Sequence, residues 1–392
     1  MSAPLTPLAA PATLLARGDD LVTVRRRVAR DDARLRPAVD RAVVAAAEAM
    51  TAGPFSVTDK TDLGPASDPH DYVSMATYAW PNPDTPDGLP WRDRDGVVQP
   101  LRETYDALPL RRMCHAVQRL TLACWVTGRD DYGARAAQLL RVWFLDEPTR
   151  MNPHLNHGQF VPGGCDGRCY GIIDTSTRFP PLLDAAAMLA AAGHWTAGDA
   201  EALVGWCRAY LAWLTDSPMG RAEGTRTNNH AVWYDCQNAA LALFVGDRAV
   251  ARRVLEGVRG RIDRHIEPDG SQPRELGRTR ARHYTAMNLR AFVLLARLAE
   301  HVDIDLWRYR SDDGRSIRRA IDWLMPTMDG TRRWVTDEDV APFGFHEYVP
   351  LLRWAANAYE DPACEALIGR LPNVAADQHR LNLIVPARTT PR

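Results

Sequence analysis

Ala116-Val117, Leu120, Ala123-Cys124 and Thr127, then Gly128-Arg129-Asp130, then residues 132–144: this stretch decides the fold. Its apolar residues recur at i, i+3, i+4 and i+7, the spacing of one buried helical face. The Gly-Arg-Asp turn ends that helix, and a second one follows at once. The same unit returns twice. Residues 182–192 turn at Gly193 into 199–214, and residues 231–245 turn at Gly246-Asp247 into 249–266. Further helical patterns cover 285–301, 316–325 and 346–359. Helix pairs joined by short Gly/Asp turns predict an all-α toroid or solenoid of helical hairpins. The units are too dissimilar for a true sequence repeat. Two Pro/Gly-rich insertions, 59–100 and 151–180, interrupt the helices and are expected to be functional loops on a rigid scaffold. No linker divides the chain, so a single domain over 1–392 is expected.

Composition narrows the function. With 46% hydrophobic residues and 12 tryptophans, the 392-residue chain can fill a large core, and 25% charged residues keep it soluble. A net charge of −1, with both signs interspersed, gives no overall field for nucleic acid or anionic membrane. No apolar run reaches the length of a membrane helix. A polyanionic partner would need a local basic cleft, and Arg274, Arg278, Arg280 and Arg282 are placed to line one. The N-terminal residues 1–17 lack a basic region ahead of an apolar core and do not read as a signal peptide. The expected location is therefore cytoplasmic, or periplasmic or secreted after removal of an export signal. The seven cysteines read mostly as small buried hydrophobes. If the chain is exported, Cys165 and Cys169, in a Gly-rich loop, are spaced for a local disulfide. Their grouping does not suit zinc.

The chemistry concentrates between Thr227 and Tyr284. Asn228-Asn229-His230 opens a helix, Trp233-Tyr234-Asp235-Cys236-Gln237 continues it, and Asp269 to Tyr284 includes Arg274-Glu275-Leu276-Gly277-Arg278 and His283-Tyr284. Taken singly, these are a helix cap with a solvated histidine, a solvated basic face and a core tyrosine. Together they suit elimination from a 4-linked uronic acid. Its C5 proton lies alpha to a carboxylate, and removing that proton creates a dianion-like enolate. An enzyme must neutralise the carboxylate, supply a base at C5 and protonate the O4 leaving group. Amides, histidine and arginine suit the first task; tyrosine or histidine suits the proton transfers. An amide near the N-cap is favoured, and the helix end points donors at an anion. Arg278 is expected on a loop, with a helix starting near Thr279.

Three blocks carry a resemblance. The first is Asp71-Tyr72-Val73-Ser74-Met75-Ala76-Thr77-Tyr78-Ala79-Trp80-Pro81-Asn82-Pro83, with Asp87-Gly88-Leu89-Pro90 after it. The second is Met151-Asn152-Pro153-His154-Leu155-Asn156 with Gln159 and Gly171-Ile172-Ile173-Asp174-Thr175. The third is the stretch just described. Over residues 70–290 the chain resembles the alginate lyase superfamily of polysaccharide lyases, whose members have an (α/α) toroid fold, an incomplete α/α barrel with long loops over a central cleft. The resemblance implies catalytic roles for Asn229, His230, Arg278 and Tyr284. Asn229, Arg278 and His230 would neutralise the uronate carboxylate. Tyr284 would protonate O4 and, in a syn geometry, also take the C5 proton; His230 would be the base in an anti geometry. The 59–100 insertion resembles a lid loop that sets Tyr78 and Trp80 over the sugars, where aromatic faces stack on pyranose rings. Gln159, Asn228, Gln237, Glu275, Arg280 and His283 join them as expected substrate-binding residues. The chain reads Tyr-Ala-Trp-Pro at 78–81, where many relatives have two consecutive tryptophans.

The expected activity is β-elimination of a polyuronate, alginate first, with glucuronan or another uronate as the alternative substrate. A glycoside hydrolase on an (α/α) barrel would need two carboxylates flanking the bond, for which Asp174, Asp235 and Glu275 are the candidates. A non-catalytic carbohydrate-binding scaffold would explain the helix pairs but not the Asn-His…Arg…Tyr set. His154, His157 and His265 read as polar or packing groups rather than ligands, and no metal or cofactor is expected.

Overall fold

The periodic segments fold as the helices they predict, with most ends within four residues of the expected ones. The computed structural model describes residues 7–335 and 342–388; the first six residues of the N-terminal stretch lie outside them. Close contacts gather the chain into two compact units, Met1–Ala42 with Arg226–Arg392, and Val43–Thr225.

In the Val43–Thr225 unit, helices Ala107–Thr127 and Asp130–Phe144 pack as a hairpin, followed by Phe179–Ala191 and Ala197–Asp216. The first helix stops at Gly128, whose φ of 71° is left-handed and whose N–H returns to the Cys124 carbonyl at 2.8 Å. That conformation is open to glycine at little cost, which is why the turn is legible. The fourth helix opens on a capping box. Thr196 accepts the Asp199 N–H, and the Asp199 carboxylate accepts that of Thr196. One buried face was expected on the first helix, but Leu120 to Val126 are buried all round. The neighbouring Asp130–Phe144 and Phe179–Ala191 helices cover its other sides. Edge-to-face contacts of Phe144 with Phe179 (5.8 Å) and Trp206 (4.8 Å), and of Phe179 with Tyr210 (5.7 Å), lock three helices together.

The two insertions are not structureless. Val73–Met75 pairs in parallel with His157–Phe160, and Ala79–Trp80 pairs antiparallel with Arg92–Asp93. The first pair stitches the insertions to each other. Lys60, the only lysine in the sequence, anchors the start of the longer one. Its side chain is 1% exposed, and its ammonium lies 3.2 Å from Asp106. It also donates to the carbonyls of Val57 and, at 2.8 Å, Pro69. Asp106 exchanges backbone and side-chain bonds with Val73: it accepts the Val73 N–H at 2.8 Å and donates its own N–H to the Val73 carbonyl at 2.9 Å. One buried ion pair thus joins both ends of the loop to its first strand. A compact ammonium with three tetrahedral donors meets these acceptors, as a planar guanidinium does not.

In the other unit, Asn229–Phe244 and Arg248–His265 form a hairpin that packs against Ala281–Ala299, with Ile317–Met328, Tyr348–Tyr359 and Pro362–Ile368 beyond. Asp247 caps the second helix through the Val250 N–H. Arg297 and His301 hold the carbonyls of Leu15 and Leu14 at 2.9 and 2.7 Å, tying the N-terminal segment to this unit. All-α construction from short-turned hairpins is the observed fold class. No described helix is long and apolar enough to cross a membrane. The described cysteines are all free, so Cys165 and Cys169 are unbridged.

Candidate active site

Asn228 is the N-cap of the Asn229–Phe244 helix, as its sequence suggests, yet its side chain makes no capping bond. The cap comes from elsewhere. Glu275, on the short helix Pro273–Leu276, accepts the Asn229 backbone N–H on Oε1 and the Asn229 Nδ2–H on Oε2, both at 2.7 Å. Glu275 and Asn229 are fully buried. Burial raises the carboxyl of Glu275 above the usual range, against the two Asn229 bonds and the nearby charges of Arg278 and His230, which lower it. Those electrostatic neighbours place Asn229, His230, Glu275 and Arg278 in one cluster.

Arg278 lies on the expected loop, between Leu276 and the helix Ala281–Ala299. Its guanidinium stacks over the Tyr284 ring, 3.9 Å from the centroid. Tyr284 sits in the first turn of that helix, its N–H bonded to the carbonyl of the N-cap Arg280 at 3.0 Å. His283 meets Tyr284 edge-on at 5.4 Å and lies 3.0 Å from Glu347 through Nδ1. Burial pulls the Glu347 carboxyl up, but His283, Arg290 and His346 together hold it below its ordinary value. So all four expected catalytic residues, with Glu275, Arg280 and His283, come together in one unit.

Other expectations need correction. Gln237 lies two turns beyond His230 on the same helix but is completely buried, and neither amide atom has a hydrogen-bond partner among the described residues. It lies in the packed interior. Glu275 is likewise buried, with both carboxylate oxygens bonded to Asn229. The partner of His283, Glu347, is 64 residues away in sequence, and no local signal marked it.

Tyr78 and Trp80, expected on a lid, belong to the other unit. Tyr78 and Trp80 are partly exposed, Trp80 donating its indole N–H to the Val97 carbonyl at 2.8 Å, with Arg94 over its ring at 5.2 Å. Gln159 is buried, with φ of 51°, a left-handed conformation that costs a side-chain residue of order 1–3 kcal/mol. Asp174 secures it. It accepts from Gln159 Nε2 (3.4 Å), Ser74 (2.6 Å) and Tyr72 (3.1 Å), while Arg168 donates to Gln159 Oε1 at 3.3 Å. His154 and His157 share the single carboxylate of Asp71, at 3.1 and 3.5 Å. Among the described residues no three His, Cys, Asp or Glu side chains are grouped to hold a metal ion.

The carboxylates a hydrolase would use are engaged otherwise. Asp235 is paired with Arg261 at 2.7 Å, Glu275 is held by Asn229, and Asp174 by Ser74 and Tyr72.

Comparison with known proteins fits this geometry. The Alginate lyase family model matches residues 56–334. The chain belongs to the alginate lyase family. It is a polysaccharide lyase. A crystal structure of an alginate lyase from Bacteroides ovatus shares 32% identity and superposes with a TM-score of 0.90, covering 96% of this chain and 99% of that one. The fold also matches alginate lyase A1-III from Sphingomonas species A1, at 17% identity, a TM-score of 0.62 and 97% coverage of both chains. A variant of that enzyme was crystallised with a tetrasaccharide; it is 16% identical, with a TM-score of 0.59, over 93% of this chain and 94% of that one. A search of curated proteins gave no match. With these relatives the helical hairpins fall in the (α/α) toroid class.

Proposed function

We propose that this lyase cleaves a 4-linked polyuronate, alginate in the first place, by β-elimination, leaving 4,5-unsaturated uronate ends. The observation that carries the reading is the single cluster of Asn229, His230, Arg278 and Tyr284, built on the starts of two packed helices. The remaining Nδ2 hydrogen of Asn229, the Arg278 guanidinium and His230 neutralise the uronate carboxylate, so that charge developing at C5 is met by fixed donors. Tyr284 gives a proton to O4 as the C4–O4 bond breaks. It also accepts the C5 proton where the two groups are syn; His230 accepts it where they are anti. Tyr78 and Trp80 stack on neighbouring sugars. The match to one relative over 96% of the chain supports reading residues 1–392 as one lyase domain; in this reading 59–100 is its lid.

Ultraviolet absorbance of the purified protein with alginate, polymannuronate, polyguluronate and glucuronan tests the proposal. A rise from conjugated ends on one of them identifies the substrate. New reducing ends without that rise would overturn elimination in favour of hydrolysis.

A further inference from the structure

The helix bearing Asn229 and His230 lacks a side-chain cap of its own, and a carboxylate from a separate segment takes that place. This is a costly arrangement to bury, since a carboxylate leaves water for two N–H donors. It has a geometric result. A carboxylate only accepts hydrogen bonds. Whatever faces Oε2 must be a donor, so the Asn229 amide is fixed with Nδ2 toward Glu275 and Oδ1 away. The second Nδ2 hydrogen, in the same amide plane, then has one direction. The Asn229 backbone, and with it the start of the helix that carries His230, is fixed by the other oxygen.

We propose that Glu275 is the positioning residue of the active site, orienting the Asn229 amide and the first turn of its helix toward the uronate carboxylate. This rests on the elimination reading above. Glu275 is buried behind Asn229 and touches no substrate; it acts through its neighbour. Arg278, three residues on, moves with it, so one short segment sets both the amide and the guanidinium.

Glu275→Gln is nearly isosteric, but it turns one acceptor into a donor that confronts an Asn229 N–H. Misplacement of about 1 Å costs on the order of 10²-fold in rate. The expected result is a fall in kcat per folded molecule of that order, KM within about threefold, and a modest loss of stability, with Glu275→Asp recovering part of the rate. A residue that merely supports the fold would lower stability and leave kcat per folded molecule near parental. The decisive measurement is the cycle with Asn229→Ala. If Glu275 acts mainly through the Asn229 amide, adding Glu275→Gln to Asn229→Ala lowers kcat several-fold less than the same change does in the parent. Losses that multiply in full, or a Glu275→Gln enzyme with near-parental kcat, would overturn the assignment. Should Glu275→Gln not fold, the same cycle with Glu275→Asp decides. Amide exchange adds a readout independent of activity: the Asn229 backbone N–H, held by Oε1, should be protected in the parent and fast in Glu275→Ala, and equal protection refutes the clamp. Failure of the functional reading looks different: the parent itself would then release no unsaturated ends from any polyuronate.

Discussion

Glu275 and Asp106 are both buried carboxylates, each accepting a backbone N–H, but they differ in their second partner. Glu275 spends its other oxygen on the neutral amide of Asn229, whereas Asp106 faces the ammonium of Lys60. In the first case the bond fixes which way a side chain points, at the edge of the proposed active site. In the second it fixes where a loop begins and ends. The lesson is that direction and attachment need different chemistry. A carboxylate–amide bond is modest in energy but reads donor from acceptor. A buried ion pair tolerates angular change but is severe when broken.

The largest effect that sharpens this contrast is Tyr284→Phe. Loss of a proton-transfer group should lower kcat by about 10²–10⁴ while leaving urea unfolding and polymer binding by calorimetry close to parental. Unchanged turnover would place the proton chemistry elsewhere. Lys60→Met is the opposite experiment. Measured above the Asp106 titration, it strands that carboxylate and should cost about 3–5 kcal/mol of stability in urea, with kcat per folded molecule nearly kept. Adding Asp106→Leu should restore much of that loss; no recovery would mean the pair is not what anchors the loop.

A pH titration of stability is the next smaller test. Burial pushes the Asp106 carboxyl up from 3.8 to about 7, against the opposing pull of Lys60. The folded state therefore holds a proton that the unfolded chain has already released between about pH 4 and 7. Stability falls as pH rises through that window, by at most about 1.4 kcal/mol per pH unit for one group. Burial raises Asp235 and Glu275 in the same sense. Asp106→Asn should flatten the slope without abolishing it; an unchanged slope would show that Lys60 keeps Asp106 ionised throughout. Smallest is Trp80→Ala, which removes one aromatic face worth about 0.5–1.5 kcal/mol, a two- to tenfold rise in KM with kcat intact. An unchanged KM would remove Trp80 from the binding surface.

Helices were legible wherever a 3.6-residue pattern ended in a residue with a reason to turn, as at Gly128 and Gly246. The small sheets were not, because two- to four-residue strands such as Ala79–Trp80 carry no period. The cluster of Asn229, His230, Arg278 and Tyr284 was legible as residue types in order. The depth of each was not. Gln237 and Glu275 read as substrate-binding residues in sequence, and only the folded chain shows that both are interior. Glu347 was invisible, since its partner His283 lies on a different helix 64 residues earlier.

Lys60 has a practical corollary. An endoproteinase that cuts only after lysine has one target in this sequence, and the folded chain hides it. Digestion into residues 1–60 and 61–392 therefore times the opening of a single loop anchor, while the 47 arginines go unread. Amine-reactive dyes meet the same barrier. Attachment at the side chain of residue 60 would report that the loop had come loose, so a covalent label can serve as a clock for one local event in an otherwise intact enzyme.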